Sequence, residues 1–457
     1  MDEIRILQEH VRISDPHITS DDADRLSILG NIFDPLMRVR DDGTFSPCLA
    51  DSWTLTEDAR TWRFSIRDDV RFHDGSWLRM EDVVFSLRRI RDEDIPGELG
   101  TSGVIKGYLK GSEIDIEGKH VLVRTPEPMA DLTDLLCEIP VLSERIGADS
   151  MVGTGAFRLV SADGERVVLE SSNRRLVFEA EKGATKRLKA VRSGEADVAS
   201  KLPPALEADG VRIARSTTSV CATFMFNFQT EAAKLRPLRK AINLAVDVDA
   251  LIRGVMFGAA DPLSGPLTKR HLGFDPEAKA WPFDASAARH ILEEEKLTGT
   301  KILIDIPAIL PDEAPALAKE IGRYLEKVGL EVEIRTDADR PGYAMRVRGK
   351  PKGDKAIGDM ACFDSSPSST FRVFWEKFHS GNAGPWWMGY RNERFDTLVD
   401  RGRQAVDLSS RRAVYQEAYG LLRDDAPWLF LYNPVRRTAI GNRLPNWNPS
   451  TGGLLLF

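Results

Sequence analysis

Few side chains in this 457-residue sequence stand at spacings that could do chemistry. Phe72-His73-Asp74-Gly75 puts an imidazole beside a carboxylate, the pairing of an acid–base or metal site. The other histidines, His10, His17, His120, His271, His290 and His379, stand at no ligand spacing, which argues against that reading, and Asp74-Gly75 is a turn signal. Cys48, Cys137, Cys221 and Cys362 form no Cys-x-x-Cys and read as four separate buried thiols, with long-range disulfides as the alternative in an oxidising compartment. Gly111 to Gly118-Lys119-His120 has the wrong spacing and no Ser or Thr for a phosphate loop. Gly153-x-Gly155 lacks the third glycine of a dinucleotide fingerprint. Neither Gly-x-Ser-x-Gly nor His-Glu-x-x-His occurs. What remains is suited to holding a molecule: Trp386-Trp387-Met388-Gly389-Tyr390, following Pro385, whose aromatics line a cleft or pack a core.

Composition narrows the class. With 42% hydrophobic and 29% charged residues the chain reads as globular, and its length suggests two or three domains. Sixty-three basic against 70 acidic residues give a net charge of −7, with no footprint for nucleic acid or an anionic membrane. No run approaches the ~18 apolar residues of a membrane span. The first residues carry Asp2, Glu3, Arg5 and Glu9 and are no signal-peptide core; taken literally they would leave the chain in the cytoplasm.

The elements that must position any site can be read from period and punctuation. Ile4–Leu7 reads as a first strand, and Ile28–Val39 as a helix running into a strand. Trp53–Leu55 and Thr61–Ile66 alternate around a polar turn, and Val70–His73 reads as a third short strand ending at Asp74-Gly75. A helix is predicted from about Arg79, with Val83, Val84, Leu87 and Ile90 on one face. Glu113–Arg124 reads as a hairpin. Ala222–Phe228 reads as a buried strand, and Pro237–Val246 and Leu408–Asp425 as helices. Lys301–Pro307, Ala314–Val328 and Glu331–Thr336 form a strand–helix–strand unit with parallel strands, and Trp428–Tyr432 a late strand.

The order Leu49-Ala50-x-Ser52-Trp53, Trp62-x-Phe64-x-Ile66-Arg67, Phe72-His73-Asp74-Gly75 and Asp82-Val83-Val84-Phe85-Ser86 resembles the signature region of the family 5 solute-binding proteins, the extracytoplasmic receptors of ABC-type importers. Asp15-Pro16-His17, Gly153-Thr154-Gly155-x-Phe157, Ser193-Gly194-Glu195-x-Asp197 and the helix from Pro237 to Asp247 are similar to other landmarks of that family, in which the Gly153-Thr154-Gly155 element would be the crossover back to the first subdomain, its glycines supplying unusual φ/ψ.

The resemblance implies an α/β protein with the bilobal periplasmic-binding-protein fold, type II, in the three-subdomain peptide-receptor variety. Residues 1–38, 152–222 and 428–457 would form subdomain I of lobe 1. Residues 39–151 would be the inserted subdomain II, and 223–427 lobe 2. A ligand would be enclosed between the lobes by hinge closure and released unaltered, with no cofactor, metal or catalytic residue.

In the family's peptide-binding branch a strand ends in an Asp that pairs with the ligand's ammonium, followed by a Pro/Ser/Thr turn and an aromatic. Asp364 and Ser365–Phe371 fit that layout, with the capping of Ser366 or the next helix as the alternative role. The implied ligand-binding residues are Asp364, Phe363, Asn227, Trp386, Trp387 and Tyr390. The implied ligand is a short peptide or similar amine-bearing solute, and the implied partners are the permease and ATPase of an importer, with the receptor a monomer. The implied location is periplasmic, with a leader absent from this sequence. Alternatives are a nickel-chelate or opine receptor, a cytoplasmic ligand sensor on the same fold, and a peptidase.

Overall fold

A computed structural model describes residues 2–18, 22–40, 42–95, 97, 104–147, 150–309, 311–349, 356–384 and 386–457. The chain divides into two compact units, Met1–Thr217 with Arg436–Phe457, and Thr218–Val435. The expected limits at 222/223 and 427/428 fall within the strand Cys221–Phe226 and at the start of the strand Trp428–Ile440.

In the first unit, Asp2–Gln8 lies parallel to Arg174–Ala180 and to Val198–Ala199. Arg174–Ala180 continues antiparallel to Arg166–Glu170, which pairs with Arg158–Ala162. Alternation sends Ile4, Ile6, Leu176, Phe178, Val167 and Leu169 into one core, where Ile28, Leu29 and Ile32 of the helix Ala23–Ile32 meet them. Asn31 ties the C-terminal segment to that helix: its Nδ2 donates to the Leu455 carbonyl at 2.8 Å, and its Oδ1 accepts from the Phe457 amide at 2.9 Å.

Gly153 and Gly155 serve close approach, not unusual dihedrals. Neither has a positive φ. A Cβ on Gly153 would fall 2.0 Å from the Ile32 carbonyl oxygen, and one on Gly155 2.5 Å from that of Asn31. The Gly155 amide donates to the Ile32 carbonyl at 2.9 Å.

Within residues 39–151, Ala50–Leu55, Thr61–Ile66, His120–Arg124 and Glu113–Glu117 form an antiparallel sheet in that order. Val83, Val84, Leu87 and Ile90 are buried, as their spacing predicts, on the helix Met80–Asp92. Val70–His73 is not a strand. Its segment closes on itself through Phe72 N to Ser76 O and Leu78 N to Val70 O, leaving one bridge between Arg71 and Trp77.

In the second unit, Cys221–Phe226 lies antiparallel to both Met360–Ser365 and Trp428–Ile440. Lys301–Pro307 pairs in parallel with Glu331–Asp337 and with Met360–Ser365. Leu317, Ile321 and Leu325 of the helix Ala314–Lys327 pack on Ile302, Ile304 and Ile306. Gly329, at φ +97°, supplies the left-handed turn after that helix. Asp305, fully buried, pairs with Arg335 (2.8 Å from Oδ2 to Nη2) and accepts from the Gly358 amide at 2.6 Å. The strand beginning at Trp428 runs on to Ile440 and carries the chain from the second unit back to the first.

Candidate functional site

The strand Met360–Ser365 has a regular ladder with Cys221–Phe226, so its side chains alternate strictly between two faces. Cys362 and Met360 belong to the core against the helix Ala314–Lys327, and Asp364 shares their face. Asp364 stands opposite Ala222, and Ala222 stands opposite Tyr432 on the next strand. Strand spacing puts Asp364 and Tyr432 about 10 Å apart, with only a methyl group between them. The Tyr432 hydroxyl makes a long hydrogen bond, 3.5 Å, to Oε1 of Glu313, the N-cap residue of the helix Ala314–Lys327. Two carboxylates, a phenol and a methyl floor thus form a notch inside the second unit.

The electrostatics of the notch are those of charges kept from water. Asp364 is half-buried by its exposed surface, yet dense protein around its carboxyl pushes its pKa up to about 7; Glu313 adds to the rise and Arg340 opposes it. Burial raises Glu313 as well, helped by Asp312. Among the described residues none donates a hydrogen bond to the Asp364 carboxylate. The capping role is filled by others: Ser369 accepts from the Arg372 amide at the start of the helix Thr370–Lys377.

The serines and proline after Asp364 hold the loop. Ser219 Oγ donates to the Ser366 carbonyl at 2.8 Å, and His271 Nε2 to that of Pro367 at 2.8 Å. His271 is buried and neutral, its pKa lowered to about 4 by loss of water. Thr370 Oγ1 donates to the Leu272 carbonyl at 2.6 Å.

Phe363 points to the opposite face of its strand from Asp364. There it packs on Trp386, with centroids 5.0 Å apart, and on Trp428 at 6.4 Å. The Lys377 ammonium lies over both Phe363 and Trp386, at 5.4 and 5.3 Å. Phe363 and Trp386 are half-buried and form a second, aromatic wall, distinct from the carboxylate notch.

Three other residues are engaged in the packing of their own unit. Trp387 Nε1 donates to the Tyr390 carbonyl at 2.7 Å, and the Tyr390 hydroxyl donates to Asp425 at 2.7 Å. Asn227 donates to the Ile357 carbonyl at 3.0 Å and accepts from the Gln229 amide at 3.1 Å. All three are buried. Glu313, Tyr432 and Ala222 were not among the sequence-derived residues. No local pattern marks them, since each meets Asp364 only through strand register or a helix start some fifty residues away.

Two other groups singled out by their chemistry are engaged within the protein. His73 donates through Nε2 to the Gly155 carbonyl at 2.9 Å and accepts the Gly153 amide at Nδ1, 3.3 Å away, which fixes it as a structural hairpin residue. His10, Asp22 and Asp24 converge, but the Lys201 ammonium lies 3.1 Å from Asp24 and 3.5 Å from Asp22 and supplies the cation. Of the cysteines, Cys221 and Cys362 are buried thiols, whereas Cys48 and Cys137 are only half-buried, contrary to the expectation of four buried ones.

Residues 44–382 match the family described as bacterial extracellular solute-binding proteins, family 5 Middle. The chain belongs to that family. Among curated relatives, the probable D,D-dipeptide-binding periplasmic protein DdpA of Escherichia coli (strain K12) is 25% identical over 94% of this chain and 88% of its own length. The glutathione-binding protein GsiB of Pectobacterium atrosepticum is 24% identical over 84% of this chain and 79% of its own. Among solved structures, the substrate-binding protein CtaP of Listeria monocytogenes aligns with a TM-score of 0.83 at 18% identity, over 99% of this chain and 97% of its own. That likeness shows the α/β fold of the bilobal periplasmic binding proteins. The protein is accordingly a solute-binding protein of the kind that serves ABC importers. No helix among the described residues is long and apolar enough to cross a membrane.

Proposed function

We propose that this receptor captures a short peptide or similar amine-bearing solute and holds its ammonium on Asp364. One observation carries the reading: a half-buried carboxylate at the end of a central strand that accepts no hydrogen bond from a described residue and whose pKa burial raises further than Arg340 lowers it. An unpaired buried charge costs several kcal/mol, and an incoming ammonium removes that cost. The neighbouring Glu313 carboxylate disfavours anionic chelates and opines, whose carboxylates would meet like charge. Relatives named for dipeptides, di/tripeptides and glutathione support the same class. The solute is bound and released unchanged, outside the cytoplasm, and passed to a membrane permease driven by an ATPase.

Calorimetry with dialanine and its N-acetylated form tests this. Dialanine binds and the acetylated form does not. Asp364→Ala weakens dialanine binding by more than about 2 kcal/mol, roughly thirtyfold. Equal affinity for both compounds, or an unchanged affinity in the variant, would remove Asp364 from the role.

A further inference from the structure

The strand that carries Asp364 loses one of its two neighbours before it reaches that residue. Among the described residues, Lys301–Pro307 pairs with Met360–Ser365 only at Met360 and Ala361, and at the next residue the Tyr343 hydroxyl donates to the Cys362 carbonyl at 2.7 Å. Asp364 and Ser365 are therefore held by the ladder with Cys221–Phe226 alone. A strand end paired on a single side is among the parts of a sheet freest to shift. Where the Asp364 carboxylate stands thus depends on what grips the chain beyond it.

Two carbonyls are gripped there. Ser219, just before Cys221–Phe226, holds that of Ser366, and His271 holds that of Pro367. The buried His271 ring is a fixed donor. Its Nδ1 accepts the Thr268 amide at 3.0 Å, while the Thr268 carbonyl accepts the His271 amide at 2.9 Å. A neutral imidazole that accepts at Nδ1 carries its proton on Nε2, the atom that faces the Pro367 carbonyl at 2.8 Å. The chain just after the ring is anchored on the helix Leu408–Asp425. Gly273, at φ +87°, lies so close that a Cβ there would fall 2.6 Å from Cβ of Tyr415, and the Phe274 ring packs on that of Tyr419 with centroids 6.1 Å apart. The bond from Thr370 Oγ1 to the Leu272 carbonyl, 2.6 Å, closes the brace on the far side of the loop.

We propose that His271 is a positioning residue for the ammonium site: by gripping the Pro367 carbonyl from a turn anchored on the helix Leu408–Asp425, it sets where the Asp364 carboxylate stands. This rests on the reading of Asp364 as the ammonium partner and names what keeps that partner in place. A carboxylate that must meet an ammonium at hydrogen-bond distance is served poorly by a strand end that wanders, because each binding event would then have to order it.

Two conservative variants of the full chain tell positioning from packing. Gln places an amide N–H where Nε2 stands, and Asn places a carbonyl oxygen where Nδ1 stands. His271→Gln thus keeps the grip on Pro367, and His271→Asn keeps only the turn to Thr268. Both lower the urea midpoint. In dialanine calorimetry His271→Gln binds within about threefold of the unaltered protein, and His271→Asn about tenfold more weakly. Equal affinities in the two variants overturn the positioning role. Thr370→Val, which removes the neighbouring bond with little change in volume, serves if a histidine variant does not fold. It weakens dialanine binding about threefold, and an unchanged affinity there overturns the role as well.

The second measurement needs no solute. Carbon-13 NMR follows the Asp364 carboxyl in the empty protein, identified by its loss in Asp364→Asn. Its titration midpoint is the same in His271→Gln as in the unaltered protein. In His271→Asn, where the loosened strand end admits water, it lies about one pH unit lower. A single midpoint for all three proteins overturns the positioning role even where amines bind. Failure of dialanine to bind the unaltered protein overturns the amine reading itself, and the carboxyl titration then judges His271 alone.

Discussion

Asp364, which we propose as the ammonium partner, illustrates how a carboxylate kept from water weakens the fold that carries it. Its pKa near 7 lies above the ordinary carboxyl value, so the folded chain holds the proton more tightly than the unfolded chain does. The group's stabilisation is therefore complete in acid and is lost as pH rises from about 4 through about 7. Asp364→Asn, uncharged at every pH, is expected to raise the melting temperature of the ligand-free protein at pH 8 and to leave it nearly unchanged at pH 4.5. Thermal unfolding followed by circular dichroism at the two values checks this; an equal effect at both would mean that the carboxylate is not starved of water. At this scale the sequence was partly legible. A strand that ends in Asp before a run of Ser and Pro is a local pattern, and it put Asp364 near the end of a strand, where the structure has it. Tyr390, Trp387 and Asn227 could not be told from core residues, because a buried aromatic or amide looks the same in sequence whether it meets a ligand or a neighbouring carbonyl. Glu313 could not be found at all, since only the register across three strands and the helix start place it near Asp364.

The elements were read well wherever a single period ran long enough. Leu408–Asp425 has the limits its pattern gives, and Lys301–Pro307, Ala314–Lys327 and Glu331–Asp337 form the parallel strand–helix–strand unit. Val70–His73 failed because four residues of alternation are satisfied by hydrogen bonds inside the turn itself. The role of Gly153 was misjudged for a different reason: close approach depends on what packs there, which the sequence does not show. Gly153→Ala must push the Ile32 carbonyl aside and is expected to lower stability by about 3 kcal/mol, read from the urea midpoint. A loss below 0.5 kcal/mol, within the range of an ordinary surface change, would show that the contact is slack. In the other unit Asp305→Ala takes the acceptor from the Gly358 amide and leaves the partly exposed Arg335 guanidinium with the Ala356 carbonyl alone, at an expected loss of about 1 to 3 kcal/mol. Arg335→Met in the same background should recover part of that loss, and additive losses in the double variant would deny the pairing.

For the whole molecule, the two units are interleaved in the chain, which leaves the first after Thr217 and re-enters it within the strand Trp428–Ile440. Nothing local announces such a path; only the order of landmarks along the chain suggested it. The architecture suits a receptor because the notch is built on the central strands of one unit, where register holds Asp364, Ala222 and Tyr432 fixed. The central claim is that the molecule retains an amine-bearing solute and leaves it intact. Equilibrium dialysis against a mixed library of di- and tripeptides, with mass spectrometry of both compartments, tests that claim most directly. Peptides with free N-termini should accumulate uncut on the protein side, and Asp364→Ala should abolish the excess. Cleaved fragments, or an accumulation indifferent to Asp364, would contradict it.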